Sequence, residues 1–176
     1  MCIRDSFNAF KSNNYPELAC IGLGIRYNKD AFLRINPSEK LSVHTNMDAN
    51  VVYMDLFPGI QESTVRHILN TPNLKGVVLK TFGAGNGPSD PWFLTALKEA
   101  IDKGIVIVNV TQCSNGSVHQ QRYVTGWGLA QIGVVSGHDI TSEAAITKMM
   151  HLFGEGYSID EVKRLMETPL CGELSI

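Results

Sequence analysis

The sequence predicts an α/β fold, a four-stranded parallel sheet with helices on both faces, preceded by a linker with short edge strands. Three observations carry the prediction. From Asn50 onward, apolar runs of strand length alternate with segments whose apolar residues recur at helical spacing. The run 76–82 is nearly all apolar, the composition of a strand covered on both faces. Strands separated by helices pair in parallel through right-handed crossovers.

Residues 1–22 mix aromatic, polar and proline-containing pieces without sustained periodicity. Residues 24–27, 32–35 and 41–44 alternate apolar and polar side chains, the period of half-exposed strands, with Asn28-Lys29-Asp30 and Asn36-Pro37-Ser38 as turns. The stretch 23–49 is therefore expected to be a linker carrying short edge strands. The first core strand, 50–57, is rich in β-branched and aromatic residues and ends at Pro58-Gly59. Ile60, Val65, Ile68 and Leu69 then mark a helix stopped by Asn70-Thr71-Pro72. After the second strand and a glycine loop, Asp90 stands as N-cap with Pro91 at the first helical position. Phe93, Leu94, Leu97, Ala100 and Ile101 line that helix, and Lys103-Gly104 closes it.

Residues 105–110 form the third strand and 112–122 a polar loop. A helix over 125–132 is expected despite Gly126 and Gly128. Val134 to Ser136 makes a short fourth strand, and Thr141 or Asp139 caps a helix with Ala145, Ile146, Met149, Met150 and Phe153 inward. Ser158 and Glu161 form a capping box for the last helix, with Ile159, Val162, Leu165 and Met166 expected inward and Pro169 as its stop.

The totals bound the function. The 176 residues are enough for one domain with a real core, and 44% apolar with 18% charged residues is the balance of a globular chain. A net charge of -2 with no basic run leaves no footprint for nucleic acid. There is no apolar stretch of spanning length and no secretory pattern at the start, so no membrane partner and a cytoplasmic location are expected. Cys2, Cys20, Cys113 and Cys171 form no CxxC pair, so reduced thiols are expected. His44, His67, His119, His138 and His151 show no ligand spacing, and neither a metal nor a cofactor is expected.

The loop from Gly83 to Pro91 follows a strand and opens a helix, the context of a phosphate cradle. Its detail departs from that pattern. The spacing is GxGxG, no GK[ST] follows, and Asp90 sets a negative charge at the helix start. Asn86 is then the side chain able to hold a polar ligand, or simply a turn residue tolerating the left-handed region. Lys80, charged in the last turn of a buried strand, either reaches water or offers a carboxylate-binding group. Thr111, Gln112 and Cys113 end the neighbouring strand. Direct pairing of the two strands sets them beside Lys80 and Asn86, a cation, an amide, a hydroxyl and a thiol suited to an amino-acid-like ligand. His119 and His138, in loops, remain candidate bases, and Tyr123 and Thr125 candidate ligand neighbours. The five acidic residues from Glu155 to Glu173 read as a solvated helix face. No GxSxG elbow and no placed carboxylate pair appears.

The segments 76–88, 100–116, Tyr123-Val-Thr-Gly and Leu170-Cys-Gly-Glu-Leu resemble, in order, the C-terminal half of a bacterial type I (cytoplasmic) L-asparaginase. The likeness reaches back through Phe57-Pro-Gly-Ile to Phe7-Asn-Ala-Phe, while residues 1–6 do not match. It implies an amidohydrolase that converts L-asparagine to L-aspartate and ammonia through a threonine acyl-enzyme, assembled as a homo-oligomer, a dimer or a dimer of dimers. It also implies that residues 1–22 end an N-terminal catalytic domain, that 23–49 are the linker and that 50–176 are the smaller C-terminal domain. The nucleophilic threonine then belongs to the larger domain, no catalytic residue is expected in this chain, and the chain alone is expected to be inactive. Removal of that domain is expected to bare apolar side chains near Phe7, Phe10 and Tyr15. By motif match, Asn86, Thr111 and Cys113 carry over to an asparagine-binding effector site, with Lys80 where a familiar member has arginine. An ammonium lacks the bidentate grip of a guanidinium on a carboxylate. In distant secreted relatives the loop asparagine instead reaches a neighbouring subunit's active site. An asparaginase-like subunit of a tRNA-dependent amidotransferase, or a stand-alone amino-acid-binding module, are the alternative readings.

Overall fold

Each apolar run beyond Asn50 becomes a strand of one parallel sheet: β3 (Val51–Asp55), β4 (Gly76–Thr81), β5 (Val106–Thr111) and β6 (Val135–Ser136) follow β1 (Ala19–Ile21) and β2 (Ile25–Tyr27). The computed structural model describes residues 13–34, 36–38, 40–120 and 124–175, the side chains of Val124 and Thr125 excepted. The expectations for Phe7, Phe10, Tyr123, the Thr125 side chain and Ile35 lie outside the described residues. The chain divides into two compact units, one up to Ser42 and one from Val43 onward.

In the first unit β1 pairs antiparallel with β2, Ala19 opposite Tyr27 and Ile21 opposite Ile25. Every residue of both strands is exposed. Tyr15 donates its hydroxyl to the Ala31 carbonyl at 2.8 Å. The edge strands expected at 32–35 and 41–44 are absent among the described residues. Alternation alone does not make a strand, and here it has no partner strand to pair with. Leu41 and Val43 instead stand open to solvent.

In the second unit the strand order is β3-β4-β5-β6, consecutive along the chain. Right-handed crossovers that advance in one direction must lay their helices on one face. α1 (Glu62–Leu69), α2 (Pro91–Asp102) and α3 (Val124–Gln131) do so. Val65, Leu69, Phe93, Leu97 and Leu129 pack with Val77, Leu79 and Ile107. The opposite face carries Val51, Val78, Val106, Val108 and Val110. It is covered by Ala145, Met149 and Leu152 of α4 (Ser142–Gly154) and by Val162 and Met166 of α5 (Ile159–Met166). This double cover is why β4 and β5 are apolar on both sides. Gly76 makes it possible, since a Cβ there would fall 2.1 Å from Met149 Sδ.

Helix ends follow the predicted chemistry with local exceptions. Asp90 and Pro91 open α2, but the Asp90 side chain makes no cap bond. Thr141 caps α4 by accepting from Ala144 N at 3.2 Å, while Asp139 accepts from Ser175 N at 2.7 Å. The Ser158–Glu161 capping box is formed. Ile159 is exposed rather than inward, because it precedes the turn whose Val162 and Met166 meet the sheet.

The acidic stretch is not uniformly solvated. Glu173 is 9% exposed at its side chain, and its Oε1 lies 2.5 Å from Lys148 Nζ. Burial pushes the Glu173 carboxyl up, but Lys148 and the N–H groups of Cys171 and Leu170 outweigh it and hold it at about 2, below the usual 4.5. Glu155 accepts from His44 Nδ1 at 3.1 Å.

Candidate functional site

The carboxyl edge of the sheet gathers the ends of β3, β4 and β5 into one bonded surface. β4 and β5 pair directly, with Lys80 opposite Val110 and Thr81 opposite Thr111. Beyond β4 the chain turns back at once: Phe82 N donates to Asn86 O, and Asn86 N to Phe82 O, both at 2.9 Å. Gly83 and Gly85 hold φ of 53° and 102°, the left-handed region that favours glycine. At Gly85 size matters too, because a Cβ there would sit 2.7 Å from Val118 Cγ1.

Three successive carbonyls of this loop each take a different donor. Thr111 Oγ1 donates to Gly83 O at 2.5 Å, His119 N to Ala84 O at 2.9 Å, and Asn109 Nδ2 to Gly85 O at 3.1 Å. The N–H groups of Gly85 and Asn86 are taken by Phe82 O. An anion-binding nest needs such amides pointing at the ligand. The inward amides agree with the departure of the sequence from a phosphate motif.

Side chains alternate between faces along a strand. Thr81, Asn109 and Thr111 therefore share the crossover-helix face, and Lys80 takes the α4 face. There Lys80 Nζ lies 2.6 Å from Asp55 Oδ1 and 5.6 Å from the Tyr53 ring centroid. Tyr53 donates its hydroxyl to Ser142 O at 3.0 Å. Burial, helped by the charges of Glu143 and Asp55, pushes the Tyr53 phenol up.

Of the four residues singled out in the sequence, Asn86 belongs to the glycine loop and Thr111 bonds that loop at Gly83 O. Cys113 is exposed and donates its backbone N–H to Thr111 Oγ1 at 3.0 Å. Lys80 belongs to the other face, already engaged by a carboxylate. Gln112 bridges the edge, its Nε2 donating to Leu56 O at 2.6 Å and Lys80 O at 2.9 Å. A separate cavity of about 640 Å³ opens among Val118, His119, Gln120, Ser136, His138 and Glu167, and none of the four lines it. His119 Nε2 lies 2.8 Å from Ser117 Oγ, and His138 Nε2 lies 4.0 Å from Glu167 Oε1. Among the described residues no three His, Cys, Asp or Glu side chains are grouped to hold a metal.

The edge contains two residues that the sequence reading passed over, Thr81 and Asn109. Both are fully buried, and Thr81 Oγ1 donates to Asn109 Oδ1 at 2.6 Å. An asparagine inside the apolar run 105–110 is the available signal, since a buried amide demands partners.

Comparison with known proteins gives this edge a context. The 60 kDa lysophospholipase of Mus musculus is 41% identical over 171 residues, 97% of this chain but 30% of that protein. L-asparaginase 1 of Escherichia coli (strain K12) is 37% identical over 175 residues, 97% of this chain and 50% of that protein. The crystal structure of L-asparaginase I from Vibrio cholerae superposes with a TM-score of 0.89 at 36% identity, covering 99% of this chain and 52% of that one. The chain thus spans half or less of the curated relatives just named. Residues 50–166, which hold every core strand and the whole glycine loop, match the Glutaminase/Asparaginase C-terminal domain, and the chain belongs to that family.

Proposed function

We propose that this chain is the C-terminal part of an L-asparaginase, contributing amino-acid contacts and subunit interface to an amidohydrolase. The observation that carries the reading is the bonded carboxyl edge, where Thr111 holds the Gly83 carbonyl of the glycine loop that carries Asn86, within a domain of this family. In this reading residues 1–22 end the catalytic domain, 23–49 link, and 50–176 form the smaller domain. The threonine nucleophile lies outside these residues, so the chain alone releases no ammonia from L-asparagine.

Asn86, Thr111 and Cys113 contact L-asparagine, either as an effector or as substrate of a neighbouring subunit in a cytoplasmic homo-oligomer. Lys80 contributes charge from the second face and must share its ammonium with Asp55. Titration calorimetry with L-asparagine tests the reading. Binding that weakens in Asn86→Ala and Thr111→Ala supports it, whereas no heat from the unaltered chain, or ammonia release by it, defeats it. Lysophosphatidylcholine serves as the control ligand, given the lysophospholipase relative.

A further inference from the structure

Asn109 is fully buried in the middle of β5, and both ends of its amide are used. Oδ1 accepts from Thr81 Oγ1 at 2.6 Å and Nδ2 donates to Gly85 O at 3.1 Å, to residues 28 and 24 positions away. An apolar side chain of similar volume would fill the same space without any such requirement. What the amide adds is a direction. The Gly85 carbonyl and the Asn86 N–H belong to one planar peptide unit. Asn109 holds its oxygen, and Phe82 O holds its hydrogen at 2.9 Å. With Asn86 O also bound by Phe82 N at 2.9 Å, the backbone of Asn86 is fixed on both sides. Val118 closes the remaining space, standing 2.7 Å from where a Cβ on Gly85 would be.

We propose that Asn109, locked by Thr81, is the positioning residue of the ligand edge: it sets the plane of the 85–86 peptide and so the direction in which Asn86 presents its amide. For its ligand, the inference rests on the asparagine-binding reading above. Thr81 acts one step further back. Its hydroxyl occupies Asn109 Oδ1, which leaves Nδ2 turned toward Gly85.

The test uses the 176-residue chain with Asn109→Leu, Thr81→Val, Thr81→Ser and the double variant Thr81→Val/Asn109→Leu. Three quantities are read: the amide NMR signals of Gly83, Gly85 and Asn86 without ligand, the calorimetric affinity for L-asparagine, and the melting temperature. Asn109→Leu shifts the Gly85 and Asn86 signals and weakens asparagine about tenfold, the equivalent of one lost hydrogen bond at about 1.4 kcal/mol. Thr81→Val moves both in the same sense, while Thr81→Ser, which keeps the hydroxyl, leaves them near the starting values.

The double variant separates positioning from stability. In Asn109→Leu the Thr81 hydroxyl keeps only its longer contact to Val110 O at 3.3 Å, and Thr81→Val removes that weakly met donor, so part of the melting temperature lost in Asn109→Leu returns. The affinity does not return. Affinity that recovers together with melting temperature overturns the proposal, as do unmoved Gly85 and Asn86 signals in Asn109→Leu. If Asn109→Leu fails to fold, the Thr81 valine and serine pair decides by the same signals. If the unaltered chain binds no asparagine, the ligand reading fails by itself, and the amide signals still decide whether Asn109 orients the loop.

Discussion

Lys148 Nζ lies 2.5 Å from Glu173 Oε1, with side-chain exposures of 5% and 9%, and the pair fastens the C-terminal segment onto α4. The lysine also donates to Thr168 O at 2.6 Å, and the glutamate accepts from the N–H groups of Leu170 and Cys171. Removing one partner of a buried pair strands the other charge, at a cost of about 3 kcal/mol. Glu173→Gln keeps the shape and one acceptor oxygen but turns the other into a donor, so its expected loss of about 3 kcal/mol in urea unfolding reports the lost charge together with one lost acceptor. Lys148→Met added to Glu173→Gln recovers much of that loss. A double variant no more stable than Glu173→Gln refutes the account.

The same carboxylate sets an acid limit. Its folded pKa of about 2 lies below its usual 4.5, so its contribution is whole above pH 4.5 and is lost as pH falls toward 2. Urea unfolding at a series of pH values across that window should therefore show the unaltered chain losing more stability than Glu173→Gln. Equal losses would assign the acid sensitivity to other groups.

Gly154 ends α4 where alanine would ordinarily favour a helix by about 1 kcal/mol. Here a Cβ would fall 2.4 Å from Asn46 O and 2.7 Å from Met47 N, both backbone atoms. Gly154→Ala should destabilise by about 2 kcal/mol, as overpacking does. It should also loosen the segment around Asp48, whose N–H donates to Met150 O at 2.9 Å. Limited proteolysis reads that loosening as faster cutting at residues 45–49, and unchanged cutting would show that the segment adapts.

The strands and helices after Asn50 were legible because period and punctuation agreed. The run 76–82 was continuous, the Ser158–Glu161 pair was local, and Pro91 sat where a first turn accepts it. α3 shows the limit of reading glycine as a breaker. Gly126 is required there, because a Cβ would come within 2.9 Å of Gln120 O. Asp55 was not visible as the partner of Lys80, since their meeting depends on parallel register between β3 and β4. The Asn109 network spans 24 and 28 positions, and the Lys148–Glu173 pair joins a helix to a tail. Such pairings are fixed by topology, and local spacing carries no trace of them. Alternation at 41–44 misled in the opposite sense, offering a strand pattern to a segment with nothing to pair against.

The consecutive strand order has a consequence for synthesis on the ribosome. Each βα unit can dock as it emerges, because its neighbour in the sheet is already made. The face bearing Val78, Val106, Val108 and Val110 waits for a cover encoded only from Ser142 onward. A nascent chain that pauses before that point carries a bare valine wall, the kind of surface that chaperones bind and that drives clumping.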